Sequence, residues 1–169
     1  LPSEDTATDA FVQALQRLGW SYTAVLDYAG LRAQLVAGGP WDLVIVNNNQ
    51  DDYGDSVIDD LVDHLDAGRA LIFADIHTSW IREHELLGRL GFTYLASTSI
   101  PLDLAATDPD HRCFRMPNAV RQLRWDLDPS GTKSQIIAVH EGARMLASFQ
   151  GVASSGAIVL NGTGHAIFN

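Results

Sequence analysis

Cysteine is almost absent: Cys113 is the single thiol in 169 residues. One thiol excludes an internal disulfide and any zinc site built from several cysteines. Long apolar runs are missing too, since none approaches the roughly 20 residues that span a bilayer. The opening segment, Leu1 to Asp9, lacks the basic-then-apolar order of a signal peptide. Basic side chains are few, 11 Lys and Arg against 21 Asp and Glu, which leaves a formal net charge of −10. A field of that sign repels phosphate backbones and anionic lipid, so nucleic acid is not an expected partner and no membrane insertion is expected.

What is present is ordinary globular composition, 46% hydrophobic and 19% charged, well clear of the disordered regime. The length fits one domain, 1–169, around one core. The chain starts without Met and stops at Phe168-Asn169 directly after an apolar run, so the expectation is a domain excised from a longer protein.

Between Ser3 and Leu18, apolar residues recur at Ala10, Phe11, Ala14, Leu15 and Leu18, one face of a helix, with a start signal at Ser3-Glu4-Asp5 and a stop at Gly19. Tyr22 to Leu26 reads as a short strand, and Tyr28 to Val36 as a helix before Gly38-Gly39-Pro40. Asp42-Leu43-Val44-Ile45-Val46 is continuously apolar after its first residue, as in a strand covered on both faces. Ser56 to Leu65 turns Val57, Ile58, Leu61 and Leu65 inward and closes at Gly68. A buried strand at Ala70 to Ala74, a helix at Arg82 to Leu90 and a strand at Phe92 to Leu95 follow. Helix, glycine and strand in succession predict right-handed βαβ units in one parallel sheet. Such a sheet ordinarily opens with a strand, and this chain enters at a helix.

After Ser97 the texture changes. Pro101, Pro109 and Pro117 mark an irregular stretch, and strand-like runs follow at Gln122 to Leu127, Gln135 to His140, Arg144 to Phe149, Ala157 to Leu160 and His165 to Phe168. The expected fold is therefore α/β: a three-layer, flavodoxin-like, doubly wound and mostly parallel sheet, with a β-rich C-terminal part and its opening strand missing.

Trp41 to Val46, the acidic helix ending at Gly68 and Arg69 to His77 together resemble the class I glutamine amidotransferase-like superfamily, and within it the trehalose-utilisation-like (ThuA-like) branch. In that branch the corresponding strand ends in a histidine, as His77 would here. Asp108-Pro109-Asp110-His111, Gly142 to Phe149 and Gly156 to Phe168 resemble the tail of such domains. Glutaminases of the superfamily carry a nucleophilic cysteine on the turn after the strand matched by Ala70 to Ala74. This chain has none there, and Cys113 falls in the later irregular stretch, so glutamine hydrolysis is excluded by the departure.

In an open parallel sheet, ligands bind beyond the carboxyl ends of the strands. Two loops should reach that rim. One holds Asn48, Asn49, Asp51 and Tyr53; the other holds Asp75, His77, Thr78 and Trp80. Their amides and carboxylates suit hydroxyl groups, and Trp80 or Tyr53 suits stacking, so a small polyhydroxylated ligand is the expected class. His77 is the candidate acid/base, with Asp75 on the same side of the strand to orient it. The plainer alternatives are that Asn and Asp after a strand turn the chain and cap the next helix, and that Asp75 and His77 satisfy each other.

The remaining histidines, His64, His84, His111, His140 and His165, have no metal spacing, and neither a metal site nor a cofactor is expected. Asp108, Asp110 and His111 read as a solvated acidic loop, and Asn161-Gly162-Thr163 as a turn despite its sequon form.

Three functions stay open. The first is a non-hydrolysing accessory or ligand-binding domain of a larger bacterial protein, with another domain of that protein as a possible partner. The second is a ThuA-like carbohydrate-processing enzyme using His77, and the third an assembly module whose vacant strand slot is filled from another chain.

Overall fold

The computed structural model describes residues 9–37, 39, 41–48, 54–75, 78–98, 104–115, 134–149 and 155–168, and at Asn48, Asp55, Asp75, Thr98, Ser134, Ser155 and Phe168 the backbone alone. Helix α1 (Ala10–Leu18) starts later than the Ser3-Glu4-Asp5 signal implied. Its cap is Asp9, whose Oδ1 accepts from the amides of Phe11 at 2.8 Å and Val12 at 3.0 Å, meeting two of the donors a helix start leaves open. Gly19 ends it as read, left-handed at φ 68°, with its N–H returned to the Gln16 carbonyl.

The expected strand at Tyr22 to Leu26 does not form, and Trp20 to Val25 carries no regular structure. Helix α2 (Tyr28–Ala37) follows, then strand β1 (Leu43–Asn48), helix α3 (Asp55–Asp66) and strand β2 (Ala70–Asp75). The inward set of α3 is the one the periodicity gave, Val57, Ile58, Leu61 and Leu65, joined by Val62 and His64. A one-turn 3-10 helix (Thr78–Ile81) precedes helix α4 (Glu85–Leu90). Gly91 then turns the chain at φ 90° into strand β3 (Phe92–Thr98). A Cβ there would also stand 2.7 Å from that of Ala143, so both conformation and space require glycine.

The second half holds strand β4 (Leu104–Ala106), helix α5 (Arg112–Arg115), and strands β5 (Ser134–Val139), β6 (Arg144–Phe149), β7 (Ser155–Leu160) and β8 (Ala166–Phe168). The strand read at Gln122 to Leu127 lies outside the described residues.

The doubly wound, mostly parallel, flavodoxin-like sheet is not what forms. Strands β1 and β2 pair in parallel as expected, but the place beside β2 goes to β8, the last strand in the chain, and β3 pairs antiparallel with β5. Among the eight strands only β1–β2 and β2–β8 are parallel pairs, against five antiparallel ones. The path runs β1-β2-β8-β7-β5-β3, with β6 on β7 and β4 on β6. Because β6 pairs with Gly156 and with Val159–Leu160, β5 at Gly156 and β8 at Val159–Leu160 share the opposite edge of β7. The physical reason for the miscount is that an apolar run specifies a strand and its buried face but not its neighbour. In β3, Phe92 is buried and Tyr94 half-buried while Thr93 and Leu95 are exposed, the alternation of a one-sided strand, whereas Leu43 to Val46 of β1 and Ala70 to Ala74 of β2 are continuously apolar.

The main core lies between β1, β2 and helices α3 and α4, around Phe73, Leu71, Ile58, Leu61, Leu86 and Leu90. A smaller cluster, Phe114 with Leu146 and Ala147, seats α5 on β6.

Candidate functional site

The register of β1 against β2 ends on Asn48 opposite Asp75, so the two loops proposed as a binding rim leave the sheet side by side. Asn49, Asp51, Tyr53 and His77 lie outside the described residues, as do the side chains of Asn48 and Asp75. Of the remaining candidates, Thr78 is 0% exposed, and its hydroxyl donates to Gln135 Oε1 at 3.0 Å. That hydroxyl joins the 3-10 turn to β5 inside the protein. Ser97 reaches the same oxygen at 3.5 Å and meets the Tyr94 hydroxyl at 2.8 Å, so a polar chain ties β3, β5 and the turn after β2 together. Trp80 is half exposed.

The acidic loop is consumed by ion pairs. Asp108 pairs with Arg144 and Asp110 with Arg115, and His111 Nδ1 accepts the Cys113 amide at 3.3 Å and lies 3.1 Å from the Cys113 sulfur. Burial, then the Asp108 charge, pushes the Cys113 thiol up, the opposite of what a nucleophile needs. No group of three metal-ligating side chains gathers among the described residues. Asn161 is buried with its side chain fully engaged. Its Nδ2 donates to the Arg89 carbonyl at 3.1 Å, and its Oδ1 accepts from Thr163, His165 and Ala166 at 2.9–3.1 Å. The sequon is a turn clamp.

A second location, which the residue patterns did not single out, is more open. A cleft of about 790 Å³ separates β1 from a wall made by α1, Trp20 to Val25 and α2. Its floor is β1 from Leu43 to Asn47. Phe11, Leu15, Val25, Leu31 and Leu35 face it from the wall, and Trp41 closes one corner, its indole N–H donating to the Gln34 carbonyl at 3.0 Å. Helix α1 has a marked apolar face, yet only Val12 in it is buried, because that face looks into the cleft. Trp20, 55% exposed, and Tyr22 stand at the mouth.

One side of β1 carries the ladder to β2; among the described residues the other side carries no strand. That side of a terminal strand presents backbone donors and acceptors to a neighbour, and Leu43 to Val46 line the cleft. The other terminal strands are blunted. Strand β3 shifts register between Tyr94 and Ala96, and β4 is three residues long. Strand β1 has six residues in unbroken register.

The cleft's two ends differ electrostatically. At the C-terminal end of β1, Asn47 Nδ2 donates to Asp9 Oδ2 at 2.9 Å, so both oxygens of that carboxylate are engaged. At the other end stands exposed Asp42, whose carboxylate has no hydrogen bond or ion pair among the described residues. Among the described residues no Lys, Arg or His lines the cleft.

This geometry defines an α/β domain with a mixed sheet and, among the described residues, a terminal strand at the base of an apolar cleft. No family model and no curated protein matches the chain. A solved structure described as "mmIFT52 N-terminal domain" is similar over 94% of this chain and 76% of that one, at a TM-score of 0.57 and 14% identity. At that identity the likeness concerns the fold alone. The amidotransferase-like and ThuA-like resemblance and the carbohydrate-binding reading that came with it find no support in these comparisons and are set aside. No described helix is long and apolar enough to cross a membrane.

Proposed function

We propose that the domain is a non-catalytic docking module that takes an extended segment of another chain into the cleft and pairs it with the edge of β1 at Leu43 to Val46. The observation that carries this reading is the coincidence of an edge strand in unbroken register, apolar over Leu43 to Val46, with a cleft lined by Leu43 to Asn47. An edge strand left open is an aggregation hazard that proteins normally cover, and strand addition is the usual way in which such an edge is used. The volume agrees. Strands lie about 4.8 Å apart, sheets about 10 Å apart and residues rise about 3.3 Å, so one strand residue occupies about 160 Å³. The cleft of about 790 Å³ then holds about five residues.

The enzymatic alternative through His77 and Asp75 has no observation in its favour. The docking reading is tested by titrating the protein with the acetylated peptide Lys-Lys-Val-Ile-Val-Val-Thr, following tryptophan fluorescence, since Trp20 and Trp41 border the cleft. Saturable binding that weakens at least tenfold in Leu15→Glu, on the cleft wall, and is unchanged in Leu95→Glu, on the far edge, is the expected result. No saturable binding, or equal binding by all three proteins, would overturn it.

A further inference from the structure

The cleft is not symmetric end to end, and this sets the chemistry and direction of its occupant. Resting on the docking reading above, the geometry points to a partner segment that is apolar over about five residues, carries a cationic flank on its N-terminal side, and runs parallel to β1.

Three observations converge. The four central residues of the floor, Leu43 to Val46, are all apolar, and the facing wall is apolar at Phe11, Leu15 and Val25. A segment between them is covered on both faces, and strands in that position are continuously apolar rather than alternating. Among the described residues the charges lining the cleft are both carboxylates, within a chain of net charge −10, so a second copy of this acidic chain is a poorer match than a basic partner. Of those two carboxylates, Asp9 is fully engaged by Asn47 and two helix amides, which leaves Asp42 as the free anion among the described residues. A cation is therefore attracted to the end of the cleft where β1 begins.

Direction follows from α1. Its N-terminus, with Asp9 as cap, stands at the C-terminal end of β1 through the Asp9–Asn47 contact. A segment parallel to β1 would end beneath that helix start, the relation of strand to following helix in a right-handed βαβ unit, and it would extend the parallel β1–β2–β8 patch by one strand. Its N-terminal residues would then lie beside Asp42.

The test compares two acetylated, amidated peptides of the same composition, Lys-Lys-Val-Ile-Val-Val-Thr and Thr-Val-Val-Ile-Val-Lys-Lys, each with a nitroxide on one terminus. Light scattering confirms one peptide per protein monomer. The first peptide should bind about three- to fivefold more tightly at low salt, and Asp42→Asn should remove that preference, as for an exposed ion pair. Its N-terminal nitroxide should broaden the amide of Leu43, and a C-terminal one the amide of Asn47. Equal affinities, a preference that survives in Asp42→Asn, or broadening with the ends exchanged would overturn the polarity and leave docking standing. Binding of neither peptide would sink the docking reading itself, and a peptide-induced dimer would assign the cleft to a second copy.

Discussion

The Asp9 carboxylate joins two elements that are 38 positions apart in sequence: one oxygen caps α1, and the other receives the Asn47 amide from the end of β1 at 2.9 Å. Helix α1 buries only Val12, so this contact is its chief polar anchor to the sheet. Asp9→Ala should cost about 1–2 kcal/mol, the usual loss for a helix cap, measured by urea denaturation. Asn47→Ala alone should cost less. The double variant should show coupling of roughly 0.5–1.5 kcal/mol, because one hydrogen bond is shared between them. Strict additivity would place the anchor elsewhere.

His64 gives the fold a pH dependence. It is buried at the end of α3 with Nε2 donating to the Ala70 carbonyl at 3.0 Å, while buried Nδ1 has no partner. Burial, and secondarily the Arg69 charge, hold its pKa below the ordinary 6.5, against the raising effect of the Ala70 bond. The unfolded chain then binds the proton more readily than the folded one. The stability is fully present above about pH 6.5 and is lost as pH falls from there through the folded value. Urea midpoints from pH 8 to 5 should show that fall, and His64→Gln should flatten it. A profile identical in the variant would assign the dependence to other groups.

Gly91→Ala should destabilise by about 1–3 kcal/mol, since alanine pays for positive φ and its Cβ meets Ala143 at 2.7 Å. Adding Ala143→Gly should recover only the steric part. Full recovery would mean that the backbone conformation costs nothing here.

Asn161→Ala should lose about 2–4 kcal/mol, because it strips one donor and a three-way acceptor from a buried turn, leaving the amides of His165 and Ala166 unmet. Expressed with a glycosylation machinery, the wild-type protein should gain no glycan at Asn161. Mass spectrometry showing a glycan there on folded protein would contradict the buried turn.

Local elements were legible where burial is periodic. The inward face of α3, the stop at Gly19 and the strands at β1, β2, β5 and β6 follow from side-chain spacing and turn residues alone. Pairing was not legible. Nothing local in Ala166-Ile167-Phe168 announces that the last strand will insert beside β2, since that placement is decided by long-range packing. The start of α1 was misplaced because Ser3, Glu4, Asp5 and Asp9 are all competent caps, and selection of Asp9 depends on Asn47 across the fold. As for the site, the cleft beside β1 was not legible in the residue patterns. Phe11 and Leu15, which line it, read only as one face of a helix, because that spacing is the same whether or not a neighbour covers them.

Amide hydrogen exchange along β1 tests the docking account most directly. With Lys-Lys-Val-Ile-Val-Val-Thr bound, the exchange of cleft-facing amides between Leu43 and Val46 should slow at least tenfold, as open edge donors acquire partners, while β3 amides stay unchanged. Tight binding with unaltered exchange across Leu43 to Val46 would contradict strand addition.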